Sequence, residues 1–249
     1  MTSSFWLVLP AAGIGQRMGA DRPKQYLTIL DHYLLDITLQ RLLEMHPFAG
    51  CIVPLHPDDA WWADSVSATD PRITTCLGGA ERSQSVLAAL QLLEDLAQDN
   101  DWVLVHDMAR PCLDADDLKR LIGRLRDEPV GGLLATRVTD TLKRSDGAGR
   151  VAQTVDRSSY WRALTPQMFR LGILRDSLEQ ALAKHAPVTD ESSAVETLRP
   201  GESVLVEGRA DNLKVTVPGD IELAAFILQR SGWAPSTQSL AIKKDDRKQ

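Results

Sequence analysis

The chain has 249 residues, of which 43% are hydrophobic and 25% are charged, and its formal net charge is −6. This length allows one or two domains with a large core, and the acidic balance disfavours non-specific binding to nucleic acid. No apolar run is long enough to span a membrane, and residues 1–4 lead into the first apolar stretch without a basic segment. We therefore expect a soluble, cytoplasmic protein.

Cysteine and histidine spacing indicates neither a disulfide framework nor a zinc site. The three cysteines, Cys51, Cys76 and Cys112, are widely separated and form no C-x-x-C pair. We expect them to be free thiols in a reducing compartment. The five histidines show no H-x-x-x-H spacing, which argues against zinc.

Short apolar strands alternate with amphipathic helices along most of the chain. We predict strands at 5–9, 50–55, 73–77, 102–106, 131–136, 203–207 and 214–217. We predict helices at 33–45, 57–66, 83–97, 118–125, 171–184, 190–198 and 221–229. This alternation indicates right-handed βαβ units, so the expected fold is α/β, with a Rossmann-like, mostly parallel sheet flanked by helices.

The segment 139–155 interrupts this alternation. It is polar, it has a turn at residues 146–149, and short alternating stretches flank the turn, which predicts a projecting β-hairpin arm at about 139–157. A hairpin with so little apolar surface is marginal alone and needs a surface on which to rest. We expect residues 1–232 to form a single domain and residues 233–249 to be a frayed tail.

A glycine-rich loop, Pro10-Ala11-Ala12-Gly13-Ile14-Gly15, follows the first predicted strand. Small residues and glycines let backbone N–H groups approach an anion closely, and Arg17 and Lys24 follow soon after, so the loop suits a phosphate group. It differs from the dinucleotide fingerprint, which needs a glycine where Met18 lies, and from the Walker A pattern. Taken alone, an ordinary strand-to-helix turn remains the structural alternative.

Two further polar segments also follow predicted strands. Gly78-Gly79 follows the third strand, and Asp107 to Arg110 follow the fourth. Ligands bind beyond the carboxyl ends of parallel strands, so we expect these segments and the glycine-rich loop to share one site. An aspartate at that edge can hold Mg²⁺, bind a hydroxyl group or cap a helix, and the sequence leaves these roles open.

The glycine-rich loop, together with Pro23-Lys24-Gln25-Tyr26, resembles the signature of sugar-nucleotide-type nucleotidylyltransferases. More narrowly, the chain resembles the 2-C-methyl-D-erythritol 4-phosphate cytidylyltransferase family of the non-mevalonate isoprenoid pathway. Further matching blocks occur in the family's order at residues 78–85, 105–111, 140–143, 154–157, 164–167, 189–191 and 207–216. Together the blocks cover the chain from about residue 5 to residue 230.

The resemblance implies transfer of CMP from CTP to 2-C-methyl-D-erythritol 4-phosphate, with pyrophosphate released and Mg²⁺ or another divalent cation as cofactor. It also implies a homodimer embraced by the arm. The alternative on the same fold is ribitol-5-phosphate cytidylyltransferase or another sugar- or polyol-phosphate nucleotidylyltransferase. An NAD-dependent oxidoreductase is disfavoured by Met18 and by the missing ribose-binding acid. An inactive nucleotide-sensing domain is disfavoured because Arg17, Lys24, Asp107 and Lys214 are all present.

The resemblance assigns residues to three parts of the site. The catalytic cations are Arg17, Lys24 and Lys214. The nucleotide site comprises Pro10, Ala11, Ala12, Gly13, Gly15, Gly79, Ala80, Arg82, Ser85, Asp107 and Met108. The site of the second substrate comprises Asp107, Arg110, Thr141, Arg157, Thr165, Thr189 and Lys214, with Arg157 reaching the neighbouring subunit. Asp107 is the candidate metal ligand, with the phosphates themselves as the other possibility.

Two positions differ from the family pattern. The family usually has Asp where this chain has Ala80, and commonly has Ala where this chain has Met108. Ala80 removes a possible acceptor for the base, and Met108 adds bulk beside Asp107, so both bear on base selection. His106 has no evident chemical role, and we expect it to be structural.

Overall fold

The structure is a computed structural model that describes residues 3–13 and 22–233. Its strands are Phe5–Val8 (β1), Thr28–Ile29 (β2), His32–Tyr33 (β3), Gly50–Leu55 (β4), Ile73–Leu77 (β5), Trp102–Val105 (β6), Gly131–Arg137 (β7), Leu142–Ser145 (β8), Val151–Val155 (β9), Trp161–Arg170 (β10) and Val204–Glu207 (β11). Its α-helices are Leu34–Met45 (α1), Arg82–Leu93 (α2), Ala115–Leu125 (α3), Leu171–Ala183 (α4), Glu191–Glu196 (α5) and Gly219–Arg230 (α6). None of the helices in these two ranges has the length and apolar character needed to cross a bilayer.

A central sheet of seven strands organises the fold, in the order β11-β7-β10-β6-β1-β4-β5. Neighbouring strands are parallel except at β10, which is antiparallel to both β6 and β7. The predicted α/β fold with a mostly parallel sheet is therefore confirmed. Because β1, β5 and β6 run in the same direction, the loops that follow them leave from one edge of the sheet.

Helices cover both faces of this sheet. Successive side chains of a strand point to opposite faces, so Leu7 and Leu104 pack with α1 and α3, whereas Val8 and Val103 pack with α2, α4 and α5. Strands that are buried on both faces have continuous apolar sequences, which made β1, β4 and β6 recognisable. A third cluster joins α6 to β2 and to Val215, directly beside Lys214.

The sequence analysis did not predict β10. This strand contains Pro166, and a proline argues against a central strand because it lacks the N–H group that the ladder needs. The structure accommodates it at a shift in register between Ala163 and Gln167, where the pairing with β7 is interrupted. A local sequence pattern therefore missed a strand that tertiary pairing stabilises.

The predicted helix at 57–66 is wrong. The chain forms a turn there, followed by short 3-10 helices at Trp62–Asp64 and Val66–Thr69. The carboxylate of Asp59 accepts hydrogen bonds from the backbone N–H groups two and three residues further on, and Ser65 is extended. These bonds give the backbone an alternative to the α-helical pattern, which therefore does not propagate.

The predicted strand at 214–217 is also wrong, because this segment is a loop. The carboxylate of Asp220 accepts hydrogen bonds from the N–H groups of Thr216 (2.7 Å) and Val217 (3.0 Å), so these donors are not available to a strand ladder. The predicted helix at 83–97 is confirmed as α2, although it ends sooner.

The predicted arm is confirmed as a hairpin. Within the described residues, β8 and β9 pair with each other and with no further strand. The turn between them places Gly147 and Gly149 at φ values of 86° and 80°, in the left-handed region that favours glycine. Val151 is exposed on the arm, so none of the described residues covers this apolar side chain.

Candidate active site

A cleft of about 160 Å³ opens beyond the carboxyl ends of β1, β5 and β6. Twelve of the predicted site residues line it: Pro10, Ala11, Ala12, Gly13, Lys24, Gly79, Ala80, Arg82, Ser85, Asp107, Met108 and Lys214. Gln25, Glu81 and Ala109 line it as well. The three loops that the sequence placed at one sheet edge therefore do meet in one cleft. Gly15 and Arg17, like the predicted tail after Trp233, lie outside the described residues.

The glycine-rich loop is tied to the segment that carries Lys24. The N–H of Ala11 donates to the carbonyl oxygen of Pro54 (2.9 Å), and the carbonyl oxygen of Ala11 accepts from Nε2 of Gln25 (2.6 Å). Gln25 is buried directly beside Lys24, and Pro23 restricts the backbone on the other side. Lys24 is thereby held in the wall of the cleft.

Tyr26 anchors the same segment through a buried side chain. It is fully buried, and its hydroxyl donates to Oδ2 of Asp59 (2.7 Å). Burial and this hydrogen bond raise the pKa of Tyr26 well above its usual value of 10, so the phenol remains a neutral donor. The sequence analysis missed this pair because its members are 33 residues apart.

Glycine is required where the second loop crosses the first. A Cβ atom at Gly78 would overlap the Cβ of Ala12, and a Cβ atom at Gly79 would overlap the Cβ of Gln84. The hydroxyl of Ser85 accepts a hydrogen bond from the N–H of Gly79 (3.0 Å), which ties the loop to the first turn of α2. The loop and the helix start therefore form one compact wall of small residues.

A cluster of charged side chains also borders the cleft. The carboxylate of Asp107 accepts from Nε of Arg82 (3.1 Å), Nε of Arg110 (3.1 Å) and Nζ of Lys214 (2.9 Å). The guanidinium fork of Arg82 also donates to both oxygens of Glu191, at 2.5 and 3.0 Å. Both carboxylates are buried, with exposures of 7% for Asp107 and 1% for Glu191.

This cluster carries a net positive charge. Burial opposes ionisation of Asp107, but Arg82, Lys214 and Arg110 outweigh it and hold the pKa of Asp107 well below its ordinary value. Burial likewise opposes the charge of Arg82, but Glu191 and Asp107 outweigh it and raise the pKa of Arg82. Three cations therefore face two carboxylates, in a protein whose overall charge is −6. Such a site attracts anions.

The remaining predicted residues lie around the cleft rather than in its lining. Arg110 lies against Asp107, and Thr165 is buried behind it. Thr189 is exposed just before α5. Thr141 and Arg157 are exposed at the base of the arm, so within one chain they are not part of the cleft lining.

The model of the 2-C-methyl-D-erythritol 4-phosphate cytidylyltransferase family matches residues 5–230 of this chain. The chain belongs to this family. It is similar to the 2-C-methyl-D-erythritol 4-phosphate cytidylyltransferase of Ectopseudomonas mendocina (strain ymp), with 54% identity over 222 residues, 89% of this chain and 94% of the relative. The cytidylyltransferase family is a family of nucleotidyltransferases, and this chain is one of them.

Solved structures of cytidylyltransferases also resemble the fold. A crystal structure of a 4-diphosphocytidyl-2C-methyl-D-erythritol synthase has a TM-score of 0.79 at 35% identity, covering 92% of this chain and 99% of that one. A crystal structure of 2-C-methyl-D-erythritol 4-phosphate cytidylyltransferase from Francisella tularensis has a TM-score of 0.78 at 34% identity, covering 91% of this chain and 100% of that one. The similarity therefore covers nearly the full described fold.

Cytidylyltransferases typically use a divalent cation, and Asp107 is the ligand that the sequence analysis put forward. Both of its oxygens already accept from cationic side chains, so Asp107 does not fit as a direct metal ligand in this arrangement. Within residues 3–13 and 22–233, no three His, Cys, Asp or Glu side chains group as a metal site. The phosphates themselves, the other possibility that the sequence analysis gave for holding the cation, therefore stay a prediction.

The sequence analysis missed several residues that organise the cytidylyltransferase cleft. Glu191 holds Arg82 across 109 residues of sequence, and Gln25 and Asp59 hold the Lys24 segment. Glu191 was visible only as part of a matching block, and Gln25 only as a neighbour of Lys24. Such partners are recognised by their burial in the structure. The sequence pattern does not show whether a polar residue in a loop is buried.

Proposed function

We propose that this chain transfers the cytidylyl group of CTP to 2-C-methyl-D-erythritol 4-phosphate and releases pyrophosphate. The observation that carries this proposal is the cleft itself, which Lys24, Arg82 and Lys214 line together with small residues of the glycine-rich loop and of the loop after β5. Two phosphorylated reactants repel each other, so a catalyst for their reaction needs fixed cations at the point of contact.

The chemistry requires positioning more than proton transfer. An oxygen of the substrate phosphate forms a bond to the α-phosphorus of CTP, while the bond from that phosphorus to the pyrophosphate oxygen breaks. A phosphate monoester dianion is already a nucleophile, so no general base is needed. In this proposal Lys24 and Arg17 bind the triphosphate, and Lys214 stabilises the charge that develops at the α-phosphate.

The small wall suits the base and ribose of the nucleotide. Ala11, Ala12, Gly79 and Ser85 line the cleft with small side chains, which leave space for a pyrimidine ring. Met108 is buried in the same lining, and Ala80 is exposed at its rim. We propose that Pro10, Gly13, Arg82 and Asp107 complete the nucleotide site, and that any divalent cation is carried there by phosphate oxygens.

For the second substrate we propose Asp107, Arg110, Thr165, Thr189 and Lys214 from one chain. Thr141 and Arg157 are exposed at the base of the arm, which supports a site completed by a second subunit in a homodimer. Arg157 suits this role because a guanidinium group binds two phosphate oxygens at once. We propose a cytoplasmic location, which the three free cysteines support.

Pyrophosphate release tests the proposed function. The purified protein is incubated with Mg²⁺, one of CTP, UTP, ATP or GTP, and either 2-C-methyl-D-erythritol 4-phosphate or ribitol 5-phosphate. We expect rapid release with CTP and methylerythritol phosphate, and slow release with the other pairs. Faster turnover of ribitol 5-phosphate or of another nucleotide would contradict the assignment, as would the absence of any release.

A further inference from the structure

His106 lies at the end of β6, directly before Asp107, and is completely buried. Both of its ring nitrogens have polar partners. Nε2 is 3.0 Å from the carbonyl oxygen of Arg110, and Nδ1 is 2.9 Å from the hydroxyl oxygen of Thr165. His106 does not line the cleft, yet its two partners lie next to groups that do.

The directions of these hydrogen bonds follow from the chemistry of the partners. A carbonyl oxygen can only accept, so Nε2 of His106 carries the hydrogen and donates to Arg110. In a neutral imidazole Nδ1 is then an acceptor, so the hydroxyl of Thr165 donates to it. The hydroxyl oxygen of Thr165 in turn accepts from the backbone N–H of Asp107 (3.1 Å). This arrangement satisfies every group in the series.

The environment favours the neutral ring that this series needs. Burial lowers the pKa of His106 to about 4. The hydrogen bond to the carbonyl oxygen of Arg110 and the charge of Asp107 act in the opposite direction, whereas the charges of Arg110 and Arg82 add to the lowering. At neutral pH the imidazole is therefore uncharged and its Nδ1 is free to accept.

A second series of bonds closes the network. Nη1 of Arg110 donates to the carbonyl oxygen of Asn212 (2.7 Å), and Nδ2 of Asn212 donates to the carbonyl oxygen of Thr165 (2.7 Å). Asn212 is buried and lies two residues before Lys214. The network thus links the main chain at Asp107 and Arg110 to the loop that carries Lys214.

We propose that His106 is a positioning residue for the cation cluster. Its imidazole, acting with the hydroxyl of Thr165, holds the backbone of Asp107 and Arg110 so that the Asp107 carboxylate meets Arg82, Arg110 and Lys214. Thr165 takes part in this network in addition to its proposed place at the second substrate, because its hydroxyl hydrogen and only one of its acceptor positions are engaged within the protein. The measurements of kcat that test this proposal rest on the proposed function, whereas the nitrogen-15 spectra that test it do not.

Nitrogen-15 spectroscopy of the full chain tests the network without reference to activity. In protein labelled at the histidine ring, we expect His106 to be the neutral tautomer with hydrogen on Nε2 at pH 7. In Thr165→Val, which keeps the side-chain shape, the Nδ1 resonance should move because its hydrogen-bond donor is lost. A ring that carries hydrogen on Nδ1, or an Nδ1 resonance that Thr165→Val leaves in place, would overturn the proposal.

A double-mutant cycle then tests whether the network serves catalysis. His106→Leu and Thr165→Val should each lower kcat by about 10-fold or more. The kcat of the double variant should be no more than about twofold below that of the slower single variant, because substitutions in groups that act as a unit have non-additive effects. His106→Asn should retain more activity than His106→Leu, because the amide oxygen can accept from Thr165. Independent, multiplicative losses would contradict the proposal, as would a kcat for His106→Leu within about twofold of the parent chain.

A matched control separates positioning from a loss of folding. His46→Leu makes the same substitution at a half-buried histidine that packs against Phe5 and Phe48 outside the cleft. Its kcat should stay within about twofold of the parent even if its unfolding midpoint falls, since it contacts no group of the cluster. Activities are compared where urea titration shows each variant to be folded. If the parent chain itself transfers no cytidylyl group while the expected ring spectra are observed, the proposed function fails and the network stands.

Discussion

The carboxylate of Asp107 holds three cationic side chains together at the cleft. Its carboxylate is buried, and it accepts from Arg82, Arg110 and Lys214 at distances between 2.9 and 3.1 Å. Without that carboxylate, three positive charges would repel one another in a poorly solvated space. The residue therefore holds the cations together before any phosphate arrives.

Replacing this carboxylate with an amide should destabilise the fold. Asp107→Asn keeps the shape but leaves Arg110 and Lys214 without this carboxylate, and Arg82 with Glu191 alone. Losing one partner of a buried ion pair typically costs about 3–5 kcal/mol. We expect a lower free energy of unfolding by urea at pH 7 and little turnover. Asp116→Asn, which changes an exposed carboxylate on α3, should alter the stability by less than about 0.5 kcal/mol. Equal stability of Asp107→Asn and the parent would contradict the electrostatic argument.

The difference in stability between the parent chain and Asp107→Asn should depend on pH. The pKa of Asp107 is depressed by folding, so its stabilising contribution is complete above its ordinary pKa of 3.8 and is lost only as the pH falls below that value towards the folded-state pKa. The stability difference between the parent and Asp107→Asn should therefore be constant at neutral pH and shrink in acid. Urea titrations between neutral pH and the acid limit of folding measure this trend, and a difference that grows in acid would refute it.

Lys24 should be needed for catalysis but not for folding. Lys24 lines the cleft, and its neighbours Gln25 and Tyr26 anchor the segment through hydrogen bonds of their buried side chains, which the substitution leaves in place. Lys24→Ala should lower kcat/KM by roughly 10²–10³, the usual loss when one electrostatic contact to a transition state is removed. Lys119→Ala, at an exposed lysine on α3, is the control for the pyrophosphate assay. Near-parental activity of Lys24→Ala would exclude the role proposed for it.

Some of the strands and loops that position these side chains could be predicted from the sequence, and others could not. The strands β1, β4 and β6 were predicted because both of their faces are buried, and the loops after them were correctly placed at one edge. The strand β10 was missed because Pro166 breaks the pattern expected of a strand. Residues 57–66 were predicted to be a helix, but the carboxylate of Asp59 accepts hydrogen bonds from backbone N–H groups of its own turn. Long-range polar pairs such as Arg82 and Glu191 leave no periodic signal.

The tight crossing of the two loops gives a prediction about glycine. Gly78→Ala should lower the free energy of unfolding by about 1–3 kcal/mol, because its Cβ would meet the rigid Ala12. Gly123→Ala is a matched control within α3, where a Cβ meets no atom within 4 Å, and it should raise the free energy of unfolding by about 0.5–1 kcal/mol. Calorimetry or urea titration distinguishes the two, and an equal effect of both substitutions would show that packing at the crossing is not limiting.

The protein as a unit combines an acidic surface with a cationic cleft and an exposed arm. Its net charge of −6 keeps the surface anionic, so a phosphorylated substrate is attracted locally at the cluster rather than over the surface in general. The arm pairs only within itself among the described residues, and Arg157 lies at its base. Both features favour a second subunit as the surface on which the arm rests.

Changing the arm should therefore alter association more than folding. Replacing residues 146–149 with a sequence that cannot form the turn should weaken the proposed homodimer, because Gly147 and Gly149 occupy left-handed conformations there. Sedimentation measures the mass, and urea titration reports on the core, which the arm scarcely covers. An unchanged mass would count against the arm as the dimer contact, and so would a parent chain that sediments as a monomer.

A crystal structure of the protein with CTP tests the assignment of the cleft most directly. We expect the triphosphate to lie between the backbone of Pro10 to Gly13 and the ammonium group of Lys24, with the base against the small residues around Gly79. A triphosphate bound away from the glycine-rich loop would contradict the proposed site and the mechanism built on it.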